Sequence, residues 1–135
     1  MLRTLLFTLL TLIVTPACSE YALTTGDYVN AGGSEESTTL SLYANKKFTL
    51  VHKTWQPGHY DKHKESTLNG NWLCNSNKLT LKINDKTLAA KITIVGNNPL
   101  GINEKTKTLS FDSNTVSNLG YLANEILYPK SVVSD

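Results

Sequence analysis

Arginine is nearly absent from this chain: of its thirteen basic residues Arg3 is the one arginine, and every later one is a lysine. Without the bidentate guanidinium fork, and with the lysines spread rather than clustered, the sequence excludes a nucleic-acid-binding face. Long apolar runs are missing too. The longest, Leu5 to Val14, has ten residues, well short of the ~20 that a membrane-spanning helix needs. Catalytic signatures are also lacking. There is no Gly-x-Ser-x-Gly elbow, no His-Glu-x-x-His and no cysteine beside a histidine, so the familiar hydrolase and zinc-peptidase chemistries have no residues to work with and a non-catalytic protein is expected. Gly32-Gly33 is followed by no helical pattern and makes no phosphate cradle, and Glu35-Glu36 reads as a solvated loop pair.

What is present begins with an address. A short positive start, Met1-Leu2-Arg3, precedes the apolar run and then Thr15-Pro16-Ala17-Cys18-Ser19, the three-part layout of an export signal. Residues 1–19 are therefore expected to be a leader and 20–135 a single domain. That domain is nearly neutral, and its content of apolar residues suffices for one modest core. Cys18 has two readings. Preceded by small or apolar residues, it resembles the lipid-attachment cysteine of bacterial lipoproteins, and Ser19 beside it resembles the pattern sorted to the outer membrane of Gram-negative bacteria. The resemblance implies a lipid anchor facing the periplasm, with Cys74 left as a free thiol. Ordinary cleavage after Ala17 or Ser19 instead implies a soluble periplasmic or secreted domain, in which an oxidising compartment allows a Cys18–Cys74 disulfide.

The rest of the chain breaks into short runs of β-branched, aromatic and leucine residues separated by Asn, Gly, Asp and Ser. Strands are expected at Asp27–Asn30, Thr38–Tyr43, Lys47–Trp55, Thr67–Cys74, Lys78–Ile83, Thr87–Val95, Thr106–Phe111 and Asn124–Tyr128. Period-two alternation in Leu40/Leu42, Phe48/Leu50, Leu79/Leu81/Ile83, Leu88/Ala90/Ile92/Ile94 and Leu109/Phe111 gives each strand one apolar face. The fold class expected is all-β: a small antiparallel, lipocalin-like closed or partly open barrel of about eight strands, which limits exposed edges. Residues 96–104 read as a loop, and Asp112 to Ala123 as a turn or one short helix capped by Asp112 or Ser113. Alternation does not distinguish a filled interior from a hollow one, so a carrier of a small apolar ligand stays open.

From Gly26 to Leu81 the order of Tyr28, a Gly-containing loop, Thr39-Leu40-Ser41-Leu42, Phe48-Thr49-Leu50, Gly70-Asn71-Trp72 and Lys78-Leu79-Thr80-Leu81 resembles the N-terminal domain of NlpE-type outer-membrane lipoproteins. That family is linked to copper tolerance and envelope stress signalling, so the resemblance implies a binding or sensing module with an envelope protein partner. Where the family carries Cys-x-x-Cys after its first strand, this chain reads Ala31-Gly32-Gly33-Ser34, and no thiolate copper site carries over.

All three histidines fall within twelve residues. His52, His59 and His63, with Asp61, are a possible ligand set for zinc or copper, since neutral imidazole suits both. The alternative is that residues 56–66 form a long solvated hairpin loop, in which Trp55 and Tyr60 beside Pro57 would offer an aromatic patch to a partner. No other cofactor is indicated, and the sequence carries no signal for an oligomeric state.

Overall fold

The computed structural model describes residues 23–31, 33, 35–95, 106–112 and 119–133. Eight antiparallel strands follow one another round a closed barrel: β1 (Gly26–Asn30), β2 (Glu36–Leu42), β3 (Lys47–Gln56), β4 (His59–Asn75), β5 (Lys78–Ile83), β6 (Lys86–Val95), β7 (Thr106–Phe111) and β8 (Ile126–Pro129). Each strand pairs with its neighbours in sequence, and β1 with β8 closes the ring through Tyr28↔Pro129 and Val29↔Tyr128. A single turn of helix, α1 (Lys130–Val133), ends the described chain.

The connections follow from turn chemistry. Between β2 and β3 the Lys46 amide donates to the Tyr43 carbonyl at 3.0 Å, and Lys46 itself is left-handed at φ 64°, the turn-plus-bulge arrangement of a tight hairpin. Ser76 and Asn84 open the β4–β5 and β5–β6 hairpins at φ 53° and 54°. Asn tolerates this conformation because its short polar side chain compensates the backbone locally.

Alternation puts Leu40, Leu42, Phe48, Leu50, Leu79, Leu81, Ala90, Ile92, Leu109, Phe111 and Leu127 inside. Leu40, Leu50, Leu79, Leu81, Leu109, Leu122 and Leu127 have no exposed surface, so no water-sized space touches them and the interior around them is packed with side chains. At one end, below the β2–β3 turn, Trp72 closes the barrel. Its indole N–H donates to the Tyr43 carbonyl at 3.0 Å, and the Lys46 ammonium lies 4.0 Å above its ring, a cation–π contact. Cys74 is partly buried against the core near this end, and it is disulfide-bonded.

At the other end the 3₁₀ turn Gly120–Leu122 acts as a lid, with Leu122 buried and Tyr121 lying flat on the ring of His52. Of the span Asp112 to Ala123, expected as a turn or one short helix, the described residues include this turn. It starts from Leu119 without a side-chain cap, and Ser113 lies outside the described residues, as does the loop 96–104.

The largest correction concerns residues 56–66, expected as a loop. Only Pro57 and Gly58 turn the chain, with Gly58 at φ 79°; proline followed by a left-handed glycine is the pattern of a type II turn. From His59 onward the chain is strand, and β4 runs seventeen residues instead of the eight expected from Thr67 to Cys74.

A cationic cleft on the projecting hairpin

The long β4 outgrows the barrel. Its pairing with β5 covers Asn71 to Asn75 alone, because β5 ends at Ile83, whereas its pairing with β3 continues from Asn71 to His59. Gly70 marks the departure: a Cβ there would fall inside contact distance of the Lys82 carbonyl oxygen and 2.8 Å from Phe48 Cε1. Only a residue without a side chain lets β4 lie this close to β5 before leaving it. Beyond this point residues 59–67 of β4 are all exposed; β2 still flanks β3 as far as Glu36↔Thr54, so Lys53 to Glu65 forms an arm whose tip alone, from Trp55 to His63, has two strands and reaches ~7–10 Å further at ~3.3 Å per residue.

Cross-strand pairs between β3 and β4 hold the arm. Lys53 and Glu65 stand opposite each other with Nζ to Oε2 at 3.5 Å, and His63 Nε2 lies 3.5 Å from the same oxygen. Slight desolvation pushes the Glu65 carboxyl up, but Lys53 and the hydrogen bonds of His63, Lys53 and Thr67 outweigh it, leaving the group below the usual carboxylate range. Trp55 stands opposite His63, with ring centroids 5.6 Å apart at 45°.

Near the tip the register breaks. Between Trp55↔His63 and Gln56↔His59, β3 advances by one residue while β4 advances by four, so β4 bulges. The bulge opens a cleft of about 440 Å³ lined by Thr54, Trp55, Gln56, His59, Lys62, His63 and Lys64. Two ammonium groups, two imidazoles and an indole face this space, and no carboxylate is among the lining residues. Such a set attracts an anion and offers it N–H donors. It holds no nucleophile paired with a base.

The structure therefore separates the histidines. His52 points into the barrel, 9% exposed, with its Nδ1 2.9 Å from Thr38 Oγ1 and its ring stacked on Tyr121 at 4.0 Å and 8°. His63 is opposite Trp55, one residue out of phase with His52↔Ser66, so it lies on the other face of the sheet. Asp61 does not line the cleft. Among the described residues no group of three or more His, Cys, Asp or Glu is placed to hold a metal ion. The ligand set His52, His59, His63 and Asp61 is dispersed because strand alternation, not proximity in sequence, decides which side chains meet. Of the two aromatics expected to face a partner, Tyr60 is 59% exposed and Trp55 half-buried against His63; both stand on strands.

Sequence reasoning passed over Lys62, Lys64 and Gln56. The available signal was Pro57-Gly58, two turn residues flanked by Lys53, Trp55, His63 and Glu65 in opposable positions. Among known proteins, no family model, curated protein or solved structure matches this chain.

Proposed function

We propose that the chain is an exported, non-catalytic binding or sensing module of the bacterial envelope, and that the β3–β4 arm is its contact surface. The observation that carries this reading is the arm itself: a polar hairpin, exposed from Gln56 to Thr67 and carrying a cationic cleft, on a barrel whose core is packed. A projecting hairpin adds little to the core it leaves, and recognition commonly resides on such segments of a rigid scaffold. Export rests on the leader-like residues 1–19 and gains support from the disulfide at Cys74, a bond typical of oxidising compartments.

Cys18 lies outside the described residues, and the reading takes it as the lipid-attachment site, with a soluble periplasmic or secreted domain as the alternative. The NlpE-like resemblance contributes an expectation of envelope sensing through its barrel residues, and no match to a known protein stands behind it.

The test is photocrosslinking in a Gram-negative host from probes placed at positions 55 and 60, against probes on the barrel wall at positions 80 and 93. The reading expects a discrete envelope adduct from the arm positions and none from the wall. Adducts from the wall alone would refute it.

A further inference from the structure

A closed barrel removes strand edges, and this one reopens an edge. Residues 63–70 of β4 pair with β3 on one side and, among the described residues, with no strand on the other, since the β5–β6 turn at Asn84 and Asp85 ends the wall beneath them. Backbone N–H and C=O groups on such an edge are a ready template for another strand. The surroundings select the incomer by charge. Lys62 and Lys64 are exposed on β4 itself, and Lys82 and Lys86 are exposed at the head of the β5–β6 hairpin. Of the acids in the same region, Glu65 is engaged by Lys53 and His63, leaving Asp61 and Asp85 against four lysines.

Resting on the arm as contact surface, we propose that β4 residues 62–69 take an acidic, extended polypeptide segment of a partner protein as an added antiparallel strand. Its carboxylates would meet Lys62 and Lys64, and its end would reach the cleft lined by Trp55 and His63. A second copy of this chain fits less well. Two β4 edges related by a two-fold axis place Lys64 against Lys64 in the register that pairs His63 with Glu65, and lysines on an edge are a device against self-pairing.

The experiment uses the mature chain and three short synthetic peptides: one alternating Thr and Glu, one alternating Thr and Lys, and a Thr/Glu peptide N-methylated at alternate residues so that it cannot complete a ladder. Amide exchange along β4 and the fluorescence of Trp55 are read on titration. The proposal expects the Thr/Glu peptide to slow exchange within residues 62–69, the N-methylated peptide to bind at least about tenfold more weakly, equal to one or two lost backbone hydrogen bonds, and the Thr/Lys peptide not to bind. The double variant Lys62→Glu, Lys64→Glu should exchange these preferences while keeping the melting temperature. Equal binding of the methylated peptide overturns strand addition. Concentration-dependent dimerisation that protects the same amides without peptide assigns the edge to a second copy and overturns the acidic partner. Absence of Thr/Glu binding while arm crosslinks persist overturns this proposal alone, whereas peptide binding without any arm crosslink in cells counts against the envelope role and not against the edge.

Discussion

Gly70→Ala tests the junction from which the arm departs. The added methyl would overlap the Lys82 carbonyl oxygen and stand 2.8 Å from Phe48 Cε1 and 3.0 Å from the Lys82 carbonyl carbon. The ring edge can give, but the carbonyl belongs to the backbone at the first rung of the β4–β5 ladder, Asn71↔Lys82, so relief requires the strands to part. Overpacking of this kind costs about 1–3 kcal/mol, and alanine recovers only about 0.4–1 kcal/mol by restricting the unfolded chain. A net loss of about 1–2 kcal/mol should lower Tm by roughly 3–10 °C at this chain length. Thermal and urea melts of Gly70→Ala beside Gly33→Ala, whose added methyl meets nothing within 4 Å, separate the clash from the general effect of replacing glycine. A Gly70→Ala protein as stable as the unmodified one would mean that β4 does not lie against Lys82 as described.

Four further outcomes are expected. Reduction, or Cys74→Ala, should remove a cross-link and cost about 2–4 kcal/mol; intact mass should rise by two hydrogens on reduction, and a protein that gains none would refute the disulfide. Glu125 has its carboxyl pushed up, first by burial and second by the charge of Glu36. It therefore binds its proton more tightly folded than unfolded, and its contribution to stability is full below the unfolded carboxylate range and lost as pH rises through the folded value. Urea melts of Glu125→Gln should show a gain at neutral pH that vanishes in acid. His52→Ala should remove the stack under the lid and the Thr38 hydrogen bond, costing about 1.5–3 kcal/mol and raising amide exchange at residues 119–123; unchanged exchange there would mean that the lid is held by Leu122 alone. Amides of residues 59–64 should exchange well before those of β5 and β6, and uniform protection would show that the arm is part of the cooperative core.

Barrel strands were legible wherever one face is buried, because burial forces apolar residues to recur at every second position: β5 and β7 begin and end where alternation places them. The arm was not, since both faces of β4 from His59 to Thr67 are wet and the side chains there need only be soluble. His59-Tyr60-Asp61-Lys62-His63-Lys64-Glu65 accordingly has the composition of a loop while adopting a strand, its ladder to β3 overriding its weak intrinsic preference. The same blindness scattered the proposed metal ligands. With residues 56–66 as a loop, His52, His59 and His63 were free to converge; with β4 in register, Trp55↔His63 and His52↔Ser66 place two of them on opposite faces. The cleft depends on the shift between Trp55 and Gln56, and a register is a property of two strands together that neither segment encodes alone.

The packed interior and the open edge bear on the same question from opposite sides. A barrel that carries a small apolar molecule needs space within its wall, and here Leu40, Leu50, Leu79, Leu81 and Leu109 leave none against them. Both mouths are stopped as well, by Trp72 with Lys46 at one end and by Tyr121 on His52 at the other. On the outside of the barrel, a single strand has been lengthened past its neighbour, and Gly70 is placed where the excess begins. An exposed edge invites aggregation unless it is guarded, and Lys62 and Lys64 guard it against a like edge while leaving it open to an acidic strand. Alternating apolar residues hold the barrel closed, and the charged stretch of β4 has no core-facing obligation, which is why the proposed strand addition is placed there.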